Sequence, residues 1–516
     1  MLDISSNNKR IAKNTILLYF RMLVTMAVTL YTSREVLAAL GVEDYGIYNV
    51  VGGVVALFSF INSAMSTSTQ RFLVFELGKG DFRQLQKVFS ISVVIHIIIA
   101  IVIVLLSETI GLWLLNEKMV IPESRVFAAH WVYHVSILSM VVAIISVPYN
   151  AAIIAHEKMS IFAYISVVEV FLKLVIVYLL RIGNVNKLVL YAILLFVVQV
   201  GIRILYTSYC NKHFCETKFK FILDKTLFKE MFSFAAWNLW GNCAYIAFTQ
   251  GLNILLNVFF GPSVNAARGV AVQVQSAVTQ FSSNFQTALN PQITKSYATE
   301  DLDYMHSLVF RSSRFTFFLL LMLTLPIALE TETILSIWLE EVPRYSAVFL
   351  KLILCVTIID SVANPLMVSA AATGKVKVYQ SVIGGILLMI LPVSYVVLKM
   401  GGNPASVFVV HLVICAIAFV VRLFIIRPLI KISLRKYFSN VILKCAVVFF
   451  LSFIISVLVK FFVPYSSISF VIVGVMSVCC VVCFAYTLGL NKSERNFINE
   501  KLVRVFSRKN NDKYSG

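Results

Sequence analysis

Three arginines are the residues of this sequence best equipped for chemistry: Arg21, Arg203 and Arg268, each set in a largely apolar stretch. A guanidinium is planar and carries several N–H donors, so it can grip two oxygens of one phosphate at once. Polar side chains recur near them at three- and four-residue steps. Ser59, Asn62, Ser63, Ser66, Thr67 and Gln70 form one set; Thr279, Ser282, Ser283, Gln286, Thr287 and Asn290 a second; Asn238, Asn242, Tyr245, Thr249, Asn253 and Asn257 a third. On a helix each set falls on one face. Hydroxyls and amides suit sugar hydroxyls, so with arginine they make a receptor for an anionic, hydroxyl-rich ligand. This is binding chemistry, and no catalytic constellation is expected. Neither is a metal site. His130 and His134 read as ordinary polar packing, and Cys479, Cys480 and Cys483 as small hydrophobes in an apolar run.

Two carboxylates in apolar stretches are candidates for a coupling cation or proton: Asp360, in IIDSVANP, and Glu169. Glu169 has an alternative, a pair with Lys173 one helical turn on. A charge at membrane depth costs at least ~2.5 kcal/mol, so each such residue needs a partner or a wet cavity.

The elements that must position these residues are membrane-spanning helices. The 516 residues are 59% hydrophobic and 13% charged, about half the charge of a soluble domain, and the mean hydropathy is +0.87. Apolar runs of spanning length recur from end to end. The expected fold is all-α and polytopic, with about fourteen spans, among them 45–73 and 264–289. With the N-terminus inside, inner connections and tails hold about 27 Lys and Arg and outer ones about seven, which places both termini in the cytoplasm. The net charge of +19 therefore marks orientation, not nucleic acid. The basic tail after Leu490 suits orientation or contact with anionic headgroups.

An internal repeat organises the chain. LGVEDYGIYNVVGGVVALFSFINSAMSTSTQRFLVFELGKGD, from Leu40 to Asp81, matches the stretch from Phe260 to Asp301 without a gap, pairing Gly41 with Gly261 and Thr67 with Thr287. Likewise VPYNAAIIAHEK resembles NPLMVSAAATGK, pairing Pro148 with Pro365. An even number of spans per copy implies a parallel repeat. The expected domains are a six-helix bundle over 1–220, a second over 221–430, and a helix pair with the tail over 431–516. A polar stripe facing lipid would lose water without gaining partners, so the stripes should face a space between the bundles.

LGVEDYGIYNVVGGVV, the STSTQRF run and ELGKGD together resemble the polysaccharide transporter or O-antigen flippase family of the multidrug/oligosaccharidyl-lipid/polysaccharide (MOP) exporter superfamily, over about residues 10–430. The resemblance implies alternating access between two lobes. It also implies export of undecaprenyl-pyrophosphate-linked oligosaccharide across the bacterial inner membrane, for O-antigen, capsule or exopolysaccharide assembly. The expected partners are that lipid-linked substrate, membrane lipids and other polysaccharide-assembly proteins. No cofactor is expected beyond Na+ or H+ as coupling ion. The alternative is a cation-coupled multidrug exporter of the same fold. An enzyme is disfavoured, because no large loop or appended domain is present to hold catalytic residues.

Overall fold

A computed structural model describes residues 4–56, 59–117, 121–180, 186–222, 224–339, 342–463, 469–496 and 499; the side chains of 4–9, 30, 33, 34, 37, 42, 43, 45, 46, 49, 50, 53–64, 262 and 469 lie outside that description. The described residues form helices and no strand. In chain order these are α1 (Ile4–Ala56), α2 (Ser59–Lys79), α3 (Phe82–Leu106), α4 (Leu112–Glu117), α5 (Val126–Ala155), α6 (Met159–Leu179), α7 (Lys187–His213), α8 (Lys225–Phe260) and α9 (Pro262–Ala298). There follow α10 (Leu302–Leu329), α11 (Thr331–Trp338), α12 (Ser346–Ala372), α13 (Lys377–Leu388), α14 (Ile390–Lys399), α15 (Ser406–Ile430), α16 (Leu434–Tyr437), α17 (Leu443–Phe462) and α18 (Ser469–Phe484).

Among the described residues, twelve helical segments are long and apolar enough to cross a membrane. The two expected spans missing from that set are the striped ones, 45–73 and 264–289. Both stretches are helical among the described residues, but α9 carries a dense run of Ser, Thr, Asn and Gln that lowers its hydropathy. The outward faces of the spans are apolar, as lipid requires: Ile97, Ile101 and Leu105 are exposed on α3, and Phe450, Ile454 and Leu458 on α17.

Glycine sets the sharpest turns. α1 is two helices joined at Gly41, whose φ of 81° is left-handed. Gly261, with φ 82°, separates α8 from α9 at the matched position. A residue with a Cβ pays a steric penalty there, and glycine does not. The next turn repeats too. Gly80 (φ 77°) and Glu300 (φ 59°) precede Asp81 and Asp301. Asp81 accepts from Gln84 N at 3.0 Å to cap α3, and Asp301 accepts from Tyr304 N at 3.1 Å to cap α10. Pro148 and Pro365 both lie inside helices, α5 and α12. The matched positions after them, Glu157 (φ 57°) and Gly374 (φ 77°), are both left-handed.

The chain divides into two compact units. The first comprises Met1–Ala247, Asn284–Met305 and Val368–Gly385. One of its cores gathers Phe72, Phe89, Tyr149, Tyr206 and Phe234, with edge-on ring pairs Phe72–Phe234 at 5.7 Å and Phe89–Tyr149 at 5.2 Å. The second comprises Phe248–Ser283, His306–Met367 and Ile386–Gly516. Its main core holds Phe248, Leu252, Ala267, Ala271, Phe349 and Phe408, with the last two rings 4.3 Å apart.

Candidate functional site

In the first unit, one face of α1 carries Arg10, Asn14, Leu18 and Arg21 at helical spacing. Leu18 packs with Met159 of α6 and Ala288 of α9. Three residues on, Arg21 donates from Nη1 to Ser166 Oγ and from Nη2 to Asn284 Oδ1, both at 3.4 Å, with its guanidinium 4.7 Å from the Phe162 ring centre. These bonds are longer than the usual 2.7–3.2 Å. Arg21 Nε is buried with no hydrogen-bond partner among the described residues. Glu169 is near enough to act on Arg21 electrostatically, but its Oε1 is 2.6 Å from Lys173 Nζ. The local i, i+4 pair expected as its alternative is present. Arg21 is thus a cation held by a hydroxyl, an amide and a ring, with donor capacity to spare.

The second unit brings three candidates together. Arg268 of α9 donates to Asn253 Oδ1 and, at 2.9 Å, to the Thr249 carbonyl oxygen, both on α8. Asn253 Nδ2 donates in turn to Gln250 Oε1 at 3.0 Å. Their meeting follows from the Gly261 turn, which folds α9 back beside α8, so residues roughly equidistant from the turn face each other.

Arg203 has a different setting. Proline has no N–H, so Pro148 leaves the Ile144 carbonyl oxygen of α5 without its helical donor. Arg203 Nη1 donates to the Ile145 carbonyl oxygen at 2.7 Å and lies 4.2 Å from the Tyr149 ring centre. Its contacts are with the residues on either side of Pro148.

The stripe side chains Ser59, Asn62 and Ser63 lie outside the described residues. On α2, Ser66 and Gln70 are half-buried and Thr67 is exposed, while Ser68, Thr69 and Arg71 are buried, so the stripe is the less covered face. On α9, Thr279 and Thr287 are half-buried, Ser283 is exposed, and Gln286 and Ser282 are buried. Asn242 is half-buried on α8. Asp360 is exposed on α12, near enough to Arg422 of α15 to interact electrostatically.

Two polar centres escaped the sequence reading. Glu157 is 6% exposed. Its carboxylate receives Arg10 Nε at 2.8 Å and Gln292 Nε2 at 2.7 and 2.6 Å, and Asn14 Nδ2 donates to its carbonyl oxygen at 3.2 Å. The centre joins α1, the α5–α6 corner and the end of α9. Arg71, also buried, donates to the Ala372 carbonyl oxygen at 2.9 Å and lies 4.6 Å from both the Phe72 and Phe75 ring centres. The available signal for both was the matched AHEK and ATGK turns; the partners come from segments more than 130 residues away.

The described helices, with twelve segments long and apolar enough to cross a membrane, define an all-helical fold. It is the fold of the MATE transporters of the MOP superfamily. An outward-facing multidrug resistance MATE family transporter of that superfamily matches with a TM-score of 0.70 at 13% identity, over 82% of this chain and 96% of the other. The MATE transporter ClbM, in complex with Rb+, matches with a TM-score of 0.67 at 13% identity, over 83% and 96%. A MOP superfamily transporter from Pyrococcus furiosus, described as having a binding pocket of reverse polarity, matches with a TM-score of 0.67 at 13% identity, over 81% and 96%. No family model and no curated protein sequence matches the chain.

Proposed function

We propose that this chain is an alternating-access exporter whose cargo is an undecaprenyl-pyrophosphate-linked oligosaccharide. Cargo crosses the bacterial inner membrane for O-antigen, capsule or exopolysaccharide assembly. In this reading there are fourteen spans, counting the two striped helices. Two six-helix parallel-repeat bundles, 1–220 and 221–430, rock about a polar space. Residues 431–516 add a helix pair and a cytoplasmic tail, and the N-terminus is also cytoplasmic. The matched left-handed positions Gly41 and Gly261, and the matched caps Asp81 and Asp301, support the repeat.

The observation that carries the cargo assignment is Arg21. Among the described residues its direct partners are a hydroxyl, an amide and a ring, with no carboxylate, and one N–H is left over. Such a cation can take a phosphate without first breaking an ion pair. Arg268, with Asn253 and Thr249, offers a second contact, and the stripe hydroxyls and amides would meet the glycan. Arg203 is a candidate through the same chemistry, and sites for Na+ or H+ coupling are Asp360 and Glu169. Polysaccharide-assembly proteins would be its neighbours in the pathway.

A cation-coupled multidrug exporter is the second reading. The solved structures of the same fold include a multidrug resistance MATE transporter, and Asp360 supplies an exposed carboxylate in a spanning helix. One experiment separates the two. Deleting the gene is expected to abolish surface polysaccharide and leave the lipid-linked unit on the cytoplasmic leaflet. Intact surface glycan with new sensitivity to cationic dyes would overturn the flippase reading. Complementation with Arg21→Lys or Arg268→Lys should be partial, because charge stays and the planar fork is lost; Arg21→Glu or Arg268→Glu should fail.

A further inference from the structure

In the first unit, the C-terminal half of each polar-striped helix meets the turn that follows the other copy's matched proline. Arg71 of α2 donates to the Ala372 carbonyl oxygen at 2.9 Å, at the close of α12, which contains Pro365. In the turn after α12, a Cβ built on Gly374 would lie 2.8 Å from Arg71 Nη2. On α9 the position matching Arg71 is Pro291, and its neighbour Gln292 donates to Glu157 Oε1 and Oε2 at 2.7 and 2.6 Å. Glu157 in turn is the match of Gly374, and both are left-handed. Further along the same two helices, Gly78 meets its own match: a Cβ on it would lie 2.7 Å from Ala298 Cβ. Phe75 and Tyr297 add a ring contact at 6.4 Å. Crossed pairs with one self-matched contact are the pattern of a two-fold interface, in which residue i meets j and j meets i. Here both sides belong to one chain.

The crossed pairs are polar, and Arg71, Glu157 and Gln292 are all buried. Arg10 and Asn14, from the start of α1, add bonds on the Glu157 side. An apolar seam would lose its burial on opening, whereas a polar one can exchange its partners for water. Half-opening is the costly state, because it leaves a buried charge without its partner. The seam therefore favours two arrangements, closed or fully parted. In the orientation expected from the Lys and Arg distribution, these turns face the cytoplasm.

We infer that this seam is the cytoplasmic clasp of the transport cycle. It joins the two sequence copies while the cytoplasmic path is shut, and it parts to admit cargo. The inference rests on the alternating-access reading of the chain. It does not depend on what the cargo is, and it uses none of the arginines assigned to cargo.

The test follows parting in the full chain purified in detergent. Ser296, buried on α9 one turn beyond Gln292, is replaced by cysteine. Its reaction with N-ethylmaleimide is read by mass spectrometry of the peptide that carries it. Adding Gln292→Glu sets a second carboxylate against Glu157 and should speed labelling about tenfold. Adding Glu157→Gln to that variant restores the amide–carboxylate pair in reverse and should return labelling to the Ser296→Cys rate. Each variant should still melt cooperatively, which separates parting from unfolding. Where Gln292→Glu does not yield folded protein, Gly78→Ala opens the seam by collision with Ala298, without touching the charged groups, and should also speed labelling. In cells, Phe75→Cys with Tyr297→Cys, joined by a cleavable thiol cross-linker, should stop export until the linker is cut. Labelling of folded opening variants no faster than Ser296→Cys alone, no reversal in the exchanged pair, or export through an intact link would each overturn the clasp. Surface glycan left intact by gene deletion would instead overturn the cargo reading and leave the labelling result standing.

Discussion

The stretch that turns at Gly41, within α1, and runs on through α2 and the stretch that turns at Gly261, between α8 and α9, share a backbone and differ in where they carry charge. Both turn at a left-handed glycine, both end at a second left-handed residue, and both hand on to a helix capped by aspartate. Yet the position matching Arg21 is Gly241, and the position matching Arg268 is Tyr48. The neighbours explain the difference. A Cβ on Gly241 would collide with the Gln380 side chain amide, which itself donates to Asn238 Oδ1 at 2.7 Å. Tyr48 meets Tyr191 edge-on at 4.9 Å. Repeated spacing reproduces the turns, because φ and capping are local. Charge sits where non-repeated neighbours leave room for it.

The most severe way to break this comparison is to force it into symmetry. Gly241→Arg should cost about 1–3 kcal/mol by overpacking against Gln380 and show as a fall in Tm, whereas Arg21→Gly should be milder. Equal effects would mean the packing account of the asymmetry is wrong. Next come the turn glycines. Nothing lies within 4 Å of a Cβ built on Gly41 or Gly261, so alanine there should cost only the left-handed strain, about 1–2 kcal/mol at either site. Thermal unfolding of the two variants should agree, and a wide disagreement would separate the two turns. The aspartate caps come third: Asp81→Ala and Asp301→Ala should each lose about 1 kcal/mol. The smallest effect should have opposite signs in the two stretches. Glu300→Gly should stabilise by at most about 1 kcal/mol by relieving a left-handed residue, and Gly80→Ala should destabilise by a similar amount.

Long apolar runs, the Gly41–Gly261 pairing and the Glu169–Lys173 pair were legible in the sequence because each depends on residues near one another in the chain. Hydropathy does not pick out α2 and α9 among the described spans, and on α9 the polar stripe is what lowers the apolarity. Arg203 is expected from its apolar surroundings to face a cavity; its bond to the Ile145 carbonyl oxygen could not be read, because Ile145 lies 58 residues earlier on another helix.

By itself, then, the sequence determined the helices, their left-handed turns, their caps and the faces that carry polar side chains. These follow from steric limits on φ, from hydrogen bonds a few residues long and from helical periodicity. Tertiary structure alone decided which buried charges are compensated. Glu157 draws Arg10 and Gln292 from opposite parts of the chain, Glu494 draws Arg311 and Arg314, and Arg21 is left with an amide, a hydroxyl and a ring. Those pairings rest on contacts between distant segments, and Coulomb attraction acts through space and is indifferent to separation along the chain.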